Sequence, residues 1–218
     1  MKRIIGVIGL GRFGFFVAKT LAELGAEVIA VDKDEQKVRQ IAELVTYAYV
    51  ADALDEKALE EAGIFNADAV VVSIGQNVEA SIFVVVILRE HGVKEVVAKA
   101  VNEIHGKVLE RLGVKRVVYP ERETAVKVAH SLVVRGLVSE VPFAPGYSIF
   151  ELKAPPFFVG KTLRELDLRR RLGITVVAIK SKEGKVKVNP SGDDEIREGD
   201  SLLVLAGEES LKRLGEQT

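Results

Sequence analysis

The N-terminal part of the chain alternates between short apolar blocks and stretches with helical spacing. The apolar blocks predict buried strands, because a strand covered on both faces has apolar side chains at nearly every position. The intervening stretches have apolar residues three or four positions apart and predict helices. The predicted strands are residues 4–8, 27–32, 47–50, 69–73, 95–100 and 116–119, and the predicted helices are residues 13–24, 34–45, 54–62, 80–88 and 103–112. This alternation is typical of an α/β fold with a doubly wound parallel sheet of the Rossmann type.

One of these helices, residues 80–88, is predicted against the local propensity. The segment is rich in β-branched residues, which favours a strand. The polar flanks at 77–79 and 89–91, and the need for a crossover between parallel strands, favour a helix instead. Because this helix is apolar on nearly every side, it must be covered on more than one side. We therefore expect a second subunit to cover the side that its own domain leaves open.

After Pro120 the pattern changes to shorter segments. Residues 122–137 have the spacing of a helix, and a cluster of Pro142, Pro145 and Gly146 then interrupts the chain. Beyond it, the predicted strands are residues 149–152, 176–180, 185–188 and 201–205, and the predicted helices are residues 163–172 and 210–214. We therefore predict a Rossmann-type domain with a crossover helix at residues 1–141, followed by a small α+β domain at residues 142–218.

Composition and charge exclude several classes of protein. Hydrophobic residues make up 48% and charged residues 29% of the chain, which excludes a disordered chain. The net charge of −1 argues against nucleic acid as a partner. The absence of cysteine excludes a disulfide scaffold, a thiolate metal site and a cysteine nucleophile. The longest apolar run, residues 82–88, is too short to span a bilayer and no signal peptide is recognisable, so we expect a cytoplasmic protein.

The sequence GLGRFG at positions 9–14 is the motif that carries chemistry. It follows a predicted strand and opens a predicted helix, and Asp32 ends the next strand, which is the context of a dinucleotide-binding fingerprint. In that context Gly9 permits the tight turn, Gly11 lets backbone amides approach a pyrophosphate, and Gly14 lets the helix pack against the strand. The alternative interpretation is a glycine-rich turn that binds nothing.

Two charged residues indicate which nucleotide such a site prefers. Asp32 can accept hydrogen bonds from a ribose diol and would repel a 2′-phosphate, which argues against NADP; alternatively, it is a solvated helix cap. Arg12 lies inside the loop, and its guanidinium can donate to phosphate oxygens, which favours a ligand with extra negative charge such as ATP. A generic surface arginine explains Arg12 equally well on spacing alone.

Several polar residues follow the carboxyl ends of other predicted strands, where such sheets bind ligands. They are Asp52, Ser73 with Gly75, and Lys99. Each one alone is explained as a loop residue, but together they outline a crevice.

No residue pattern supports a catalytic reaction. The three histidines, His91, His105 and His130, all fall on predicted helices, and there is no nucleophile elbow, no H-E-x-x-H motif and no Walker loop. The sequence therefore predicts a nucleotide site without an acid–base pair, and no enzyme. Two alternatives stay open, an NAD-dependent oxidoreductase and a soluble regulator that senses NAD.

Short motifs across both predicted domains resemble the family of domains that regulate potassium conductance, RCK, also called KTN. The motifs are GLGRFG at 9–14, AVD at 30–32, ADA at 51–53, SIG at 73–75, AKA at 98–100, VYPE at 118–121, GITVVAI at 173–179, NPS at 189–191 and EGDSLLVL at 198–205. The resemblance implies a regulatory, gating subunit of a Trk/Ktr-type potassium uptake system. Such a subunit is cytoplasmic and lies at the inner face of the cell membrane through a membrane-embedded transporter subunit.

The family also implies an assembly and a set of ligands. Its Rossmann domains form dimers through the region of the sixth strand and the crossover helix, and dimers assemble into a ring, often of eight N-terminal domains. ATP and ADP favour different ring shapes, with AMP and NAD as further nucleotides. By match to the motifs, Arg12 meets the terminal phosphate, Asp32 the ribose, Asp52 and Ala53 the adenine region, and Lys99 lies near the phosphates. Glu121 falls where some members hold a divalent cation.

The complete set of predicted site residues combines the motif, the strand ends and the resemblance. The predicted nucleotide-binding residues are Gly9, Gly11, Arg12, Phe13, Gly14, Asp32, Lys33, Asp52, Ala53, Ser73, Gly75 and Lys99, and the predicted metal ligand is Glu121.

Overall fold

The computed structural model describes residues 2–216, so Met1, Gln217 and Thr218, which the predicted domains include, lie outside the described residues. The chain divides into two compact units, Met1–Pro120 and Glu121–Thr218. This division lies at the start of the helix that the sequence analysis assigned to the first domain. The boundary after residue 141 stays a prediction.

The first unit is a six-stranded parallel sheet with helices between the strands. Its strands are β1 Ile4–Ile8, β2 Glu27–Asp32, β3 Tyr47–Val50, β4 Ala69–Val72, β5 Val96–Lys99 and β6 Arg116–Val118, and its helices are α1 Arg12–Glu23, α2 Glu35–Ala42, α3 Glu56–Glu61, α4 Val78–Glu90 and α5 Glu103–Arg111. The strand order is β3-β2-β1-β4-β5-β6, and every neighbouring pair is parallel. This is the order of a Rossmann fold, which confirms the predicted fold class.

Hydrophobic cores lie on both faces of this sheet. On one face, α1 and α2 pack on β1 and β2 through a core that includes Val7, Ala18 and Ile41. On the other face, α4 packs on β4 and β5 through a core that includes Val84 and Leu88. Burial of the strands on both faces explains why they appear in the sequence as continuous apolar blocks.

Helix α4 confirms the prediction made against the strand propensity of residues 80–88. Asn77 caps it by accepting a hydrogen bond from the Ala80 N–H at 2.9 Å. Val85 and Leu88 are completely buried, and complete burial of such a side chain stabilises the fold by about 1.5–3 kcal/mol. Phe83 is 51% exposed, so the unit leaves one side of this helix uncovered.

The second unit is a helix followed by an antiparallel sheet. Its strands are β7 Leu137–Ala144, β8 Tyr147–Lys153, β9 Thr175–Lys180, β10 Val186–Val188 and β11 Ser201–Gly207, and its helices are α6 Pro120–Val133, α7 Leu163–Leu166, α8 Leu168–Leu172 and α9 Glu208–Gly215. The strand order is β10-β9-β11-β8-β7, and all four pairs are antiparallel. The predicted α+β class of this part of the chain is confirmed.

Strand β7 corrects the interpretation of residues 134–146. The helix predicted at 122–137 ends at Val133, and Gly136, with a φ of +83°, redirects the chain into β7. The proline cluster lies in the hairpin that β7 forms with β8. Pro142 is tolerated because β7 is an edge strand and has no further neighbour that needs an N–H from it.

The helix predicted at residues 163–172 is two short helices. Asp167 separates α7 from α8 with a left-handed φ of +43°. The apolar residues have helical spacing on each side of Asp167, three positions apart from Leu163 to Leu166 and four positions apart from Leu168 to Leu172. All four leucines pack in the same core. The pattern of apolar positions therefore did not reveal the interruption.

No helix within residues 2–216 is both long and apolar enough to cross a membrane.

A buried histidine in α5 makes the stability of the first unit depend on pH. His105 is 2% exposed, and its Nδ1 accepts a long hydrogen bond from the Val101 N–H at 3.4 Å. Among the described residues, no group forms a hydrogen bond with its Nε2. Burial lowers the pKa of His105 below its usual value, because the charged ring is poorly solvated there.

We expect this histidine to weaken the fold as the solution becomes more acidic. The unfolded chain takes up a proton near the usual histidine pKa of about 6.5, whereas the folded chain does so only at lower pH. The contribution of His105 is therefore fully present above about pH 6.5 and is lost as the pH falls toward its folded pKa. Urea unfolding of the wild type and of His105→Leu, between about pH 7 and about pH 5, measures it. The unfolding free energy of the wild type should fall more steeply; parallel curves would contradict the prediction.

Candidate functional site

The glycine loop connects the carboxyl end of β1 to α1, next to β4. β1 lies between β2 and β4 in the sheet. The strands β2 and β3 lie on one side of β1 and the strands β4 to β6 on the other, so the strand order reverses at β1. Open parallel sheets bind ligands at such a reversal, beyond the carboxyl ends of the strands. Gly9 has a φ of +92°, and its N–H donates to the Val31 carbonyl at 2.8 Å. A Cβ at Gly9 would lie 3.0 Å from the Ser73 carbonyl oxygen, so both the conformation and the space require glycine.

Gly14 brings α1 against the loop. A Cβ at this position would overlap the Gly9 carbonyl oxygen and would lie 3.0 Å from the Oγ of Ser73. Only glycine lets the first turn of the helix come so close to the ends of β1 and β4. The packing therefore determines where the N-terminus of α1 points.

Gly11 is different, because nothing in the described protein requires a glycine there. Its φ of −65° suits any residue, and a Cβ would meet no atom within 4 Å. It is the N-cap of α1 but has no side chain to cap the helix, whereas α2, α4 and α5 are capped by Asp34, Asn77 and Asn102. The first turn of α1 also has no acidic residue. The positive end of the helix is thus open, which suits a phosphate group approaching the backbone.

Asp32 ties the glycine loop to the end of β2. One oxygen of its carboxylate accepts a hydrogen bond from the Leu10 N–H at 2.6 Å, and the other accepts from the Asp34 N–H at 2.9 Å. The side chain is 9% exposed, and the Nζ of Lys37 lies 3.7 Å from it. Each carboxylate oxygen can accept a second hydrogen bond, so the predicted contact with a ribose hydroxyl is still available.

Three other predicted residues lie on the loop and just after β2. Arg12 is exposed at the start of α1, and no described residue forms a hydrogen bond or an ion pair with its side chain. Phe13 packs its ring against the core beneath α1, so only its backbone N–H can serve a ligand. Lys33 is exposed and follows Asp32 directly. Arg12 and Lys33 therefore provide positive charge that the described protein does not neutralise by direct contact.

The segment after β3 is fastened to the same end of the sheet. The Ala51 N–H donates to the Asp32 carbonyl at 3.1 Å. Asp52 is exposed, and its Oδ1 accepts from the Leu54 N–H at 3.0 Å, which forms a tight turn. Ala53 is half-buried against the core. Asp52 and Ala53 thus lie beside Asp32, just beyond the carboxyl ends of β2 and β3.

The residues after β4 and β5 complete the group. Ser73 is buried beneath Gly9 and Gly14, and among the described residues its Oγ has no hydrogen-bond partner. A Cβ on Gly75 would lie 3.4 Å from the Nζ of Lys99, so these two predicted residues meet. The structure therefore brings together the strand-end residues that the sequence analysis singled out one at a time.

The predicted cation ligand Glu121 is not grouped with other possible metal ligands among the residues that the structure describes. It is exposed in the first turn of α6. Within residues 2–216 no three histidine, aspartate or glutamate side chains are grouped so that they could hold a metal ion. The described residues of this chain do not by themselves supply a set of ligands for the cation, and the site at Glu121 stays a prediction.

The structure adds residues that the sequence analysis missed. The Leu10 N–H donates to Asp32, and Lys37 lies 3.7 Å from Asp32 and 3.6 Å from Asp34. The Leu10 donor could not have been predicted, because a backbone N–H is present in almost every residue type. Lys37, however, lies one helical turn after the cap residue Asp34, and this spacing could have indicated it.

Comparisons with known proteins agree with this geometry. The profile of the TrkA-N domain matches residues 5–120, and that of the TrkA-C domain matches residues 147–217. The Ktr system potassium uptake protein C of Bacillus subtilis (strain 168) is 40% identical over 214 residues, which cover 98% of this chain and 96% of that protein.

Solved structures show the same fold. The crystal structure of the GsuK RCK domain superposes with a TM-score of 0.50 at 24% identity and covers 99% of this chain and 47% of that one. A crystal structure of GsuK bound to ADP is 27% identical, with a TM-score of 0.51, over 60% of this chain and 33% of that one. The chain thus spans less than half of these solved chains. With both domains matched in order and a relative 40% identical along nearly its whole length, the chain belongs to the TrkA-N/TrkA-C family, the RCK (KTN) family that its sequence resembles.

Proposed function

We propose that the chain is a nucleotide-binding regulatory subunit of a potassium uptake system and gates a membrane-embedded transporter subunit. The main support for a nucleotide site is the presence of glycine at position 11, which the fold does not require, at the uncapped N-terminus of α1. The potassium uptake system is inferred from the Bacillus subtilis relative, which is 40% identical to this chain over 96% of its own length.

The nucleotide is an adenine nucleotide with two or three phosphates. The similar GsuK structure bound to ADP supports this class. In this chain the backbone of the glycine loop receives the phosphates, Asp32 receives the ribose, and Arg12 receives the terminal phosphate. Calorimetric titration with ATP, ADP, AMP and NAD tests the assignment. Tight binding of NAD together with weak binding of ATP would instead support the alternative, a regulator that senses NAD.

Regulation follows from a shift between conformations. ATP and ADP differ by one phosphate, so each stabilises the state in which its own phosphates fit best. A ligand can shift this equilibrium only by the difference between its affinities for the two states. In the proposed assembly, a dimer that builds a ring of eight N-terminal domains, that difference acts on the transporter. Potassium uptake by cells that carry the transporter subunit, with the wild type or with a variant that does not bind nucleotide, tests this role.

The proposal includes no chemical reaction. His105 is buried, His91 contacts Glu56 at 2.9 Å, and His130 contacts Glu140 at 2.7 Å. The burial of His105 and the two carboxylate contacts favour structural roles for the histidines over proton transfer. Turnover of NADH with a panel of carbonyl compounds would overturn this part of the proposal and support an oxidoreductase.

Self-association is supported by helix α6. None of its described residues is buried, although a stable helix in a folded protein normally buries one face. Its exposed apolar residues include Val126, Val128, Leu132 and Val133. Each Å² of apolar surface left in water costs about 25 cal/mol. A second copy that covers this helix removes that cost.

We expect at least a dimer at micromolar concentration. Leu132→Asp places a charge in the proposed interface and should shift the protein toward monomer, as measured by sedimentation velocity. Leu24→Asp is the matched control, because Leu24 and Leu132 are both 78% exposed and Leu24 lies at the end of α1. A wild type that stays monomeric would contradict the expectation.

The glycines separate folding from ligand binding. Gly14→Ala should lower the free energy of unfolding by at least about 1–3 kcal/mol, because the added Cβ overlaps the Gly9 carbonyl oxygen. Gly11→Ala should lower that free energy by only about 0.5–1 kcal/mol, since its Cβ has open space and alanine is merely a poorer N-cap residue than glycine, yet it should weaken ATP, ADP and AMP alike. Urea unfolding and calorimetry measure the two effects. Unchanged affinities in Gly11→Ala would show that phosphate does not approach the loop there.

Arg12 should distinguish nucleotides by the number of phosphates. A hydrogen bond to a charged group contributes about 1.5–3 kcal/mol, so Arg12→Ala should weaken ATP about tenfold or more. AMP reaches less far and should change little, and ADP should fall between them. Lys19→Ala, which removes another cation from α1, is the control and should leave all three affinities unchanged. An equal loss for AMP and ATP would show that Arg12 does not contact the terminal phosphate.

A further inference from the structure

The glycine loop is held to the end of β2 by two hydrogen bonds of different kinds. The first joins the backbones, from the Gly9 N–H to the Val31 carbonyl at 2.8 Å. The second depends on a side chain, since the Leu10 N–H donates to the Asp32 carboxylate at 2.6 Å. The side chain of Leu10 is buried, so the loop is fixed at this residue from both its backbone and its side chain.

The second bond lies directly before the proposed phosphate site. Leu10 precedes Gly11, the N-cap of α1, and no side chain caps the N–H groups of the first turn. The direction of those N–H groups depends on where the chain enters the helix. A donor fixed one residue earlier therefore fixes the geometry that a phosphate meets.

The charge around Asp32 is compatible with a nearby anion. Its carboxylate accepts from two backbone N–H groups, and the ammonium of Lys37 lies 3.7 Å away. These partners offset the negative charge, and the side chain is largely shielded from solvent at 9% exposure. The bond from the Asp34 N–H is a local turn, whereas the bond from the Leu10 N–H joins residues 22 positions apart and gives the carboxylate a partner on the glycine loop.

We propose that Asp32 is a positioning residue for the phosphate loop, in addition to its predicted contact with the ribose. It acts through the Leu10 N–H, so it contributes to the binding of phosphate groups that it does not touch. This inference rests on the proposed function, because it assumes that the loop binds the phosphates of a nucleotide.

The test uses a ligand that has phosphates and no ribose. Inorganic tripolyphosphate is added as a competitor of labelled ATP to the wild type, Asp32→Asn and Asp34→Ala. Asparagine keeps the size of the side chain but has one acceptor oxygen for two N–H donors. Asp34→Ala is the matched control: it removes a carboxylate two residues away that also lies near Lys37, but its side chain caps α2 and does not bond to the loop.

We expect Asp32→Asn to weaken tripolyphosphate about tenfold, whereas Asp34→Ala stays within about twofold of the wild type. Hydrogen exchange at the amide of Leu10, measured without ligand, should be faster in Asp32→Asn alone. Thermal unfolding of each variant confirms that the affinities refer to folded protein. A general loss of structure would accelerate exchange throughout the first unit and would not support the inference.

The outcomes separate the two levels of the proposal. If the wild type binds no adenine nucleotide, the proposed function is overturned, and this inference with it. If the wild type binds ATP but tripolyphosphate does not compete, or competes equally well in the wild type and Asp32→Asn, only the positioning role is overturned. Asp32 would then act on the ribose alone.

Discussion

Helix α1 comes closer to the sheet at Gly14 than any side chain would permit, and the rest of the site depends on that approach. The position of Gly14 places the helix N-terminus against the Gly9 carbonyl and above the buried Ser73. Because β1 and β4 lie in the middle of a sheet that is buried on both faces, this contact point cannot shift without disturbing both cores. A rigid base of this kind holds the backbone of the glycine loop in a fixed position.

The parallel sheet also explains why residues far apart in the sequence form one group. The carboxyl ends of all six strands lie on the same side of the sheet, so each segment that follows a strand begins there. Hydrogen bonds then join neighbouring segments, from Leu10 to Asp32 and from Ala51 to the Asp32 carbonyl. Asp32 is therefore the residue at which the segments after β1, β2 and β3 are connected.

Most of the first unit could be predicted from the sequence, because strands buried on both faces leave continuous apolar blocks and the helices between them have a clear apolar face. The second unit was harder to predict, since its strands are short and its edge strand β7 contains Pro142, which in most strands indicates a break. Asp167 interrupts a helix without disturbing the apolar spacing. In the site, residue types indicated the glycines and Asp32, but the donor at Leu10 is a backbone group that no residue type encodes.

The bonds of Asp32 link the site to more than one helix. Its carboxylate joins the loop that begins α1 to the Asp34 N–H, and Asp34 in turn caps α2 through the Gln36 N–H at 2.9 Å. One side chain therefore connects the glycine loop before α1 to the start of α2. The proposed regulation requires that two ligands differing by a single phosphate stabilise different arrangements of whole elements. A shared carboxylate between two helix N-termini provides such a connection, because the loop cannot move away from β2 without breaking or carrying along the bond that holds α2.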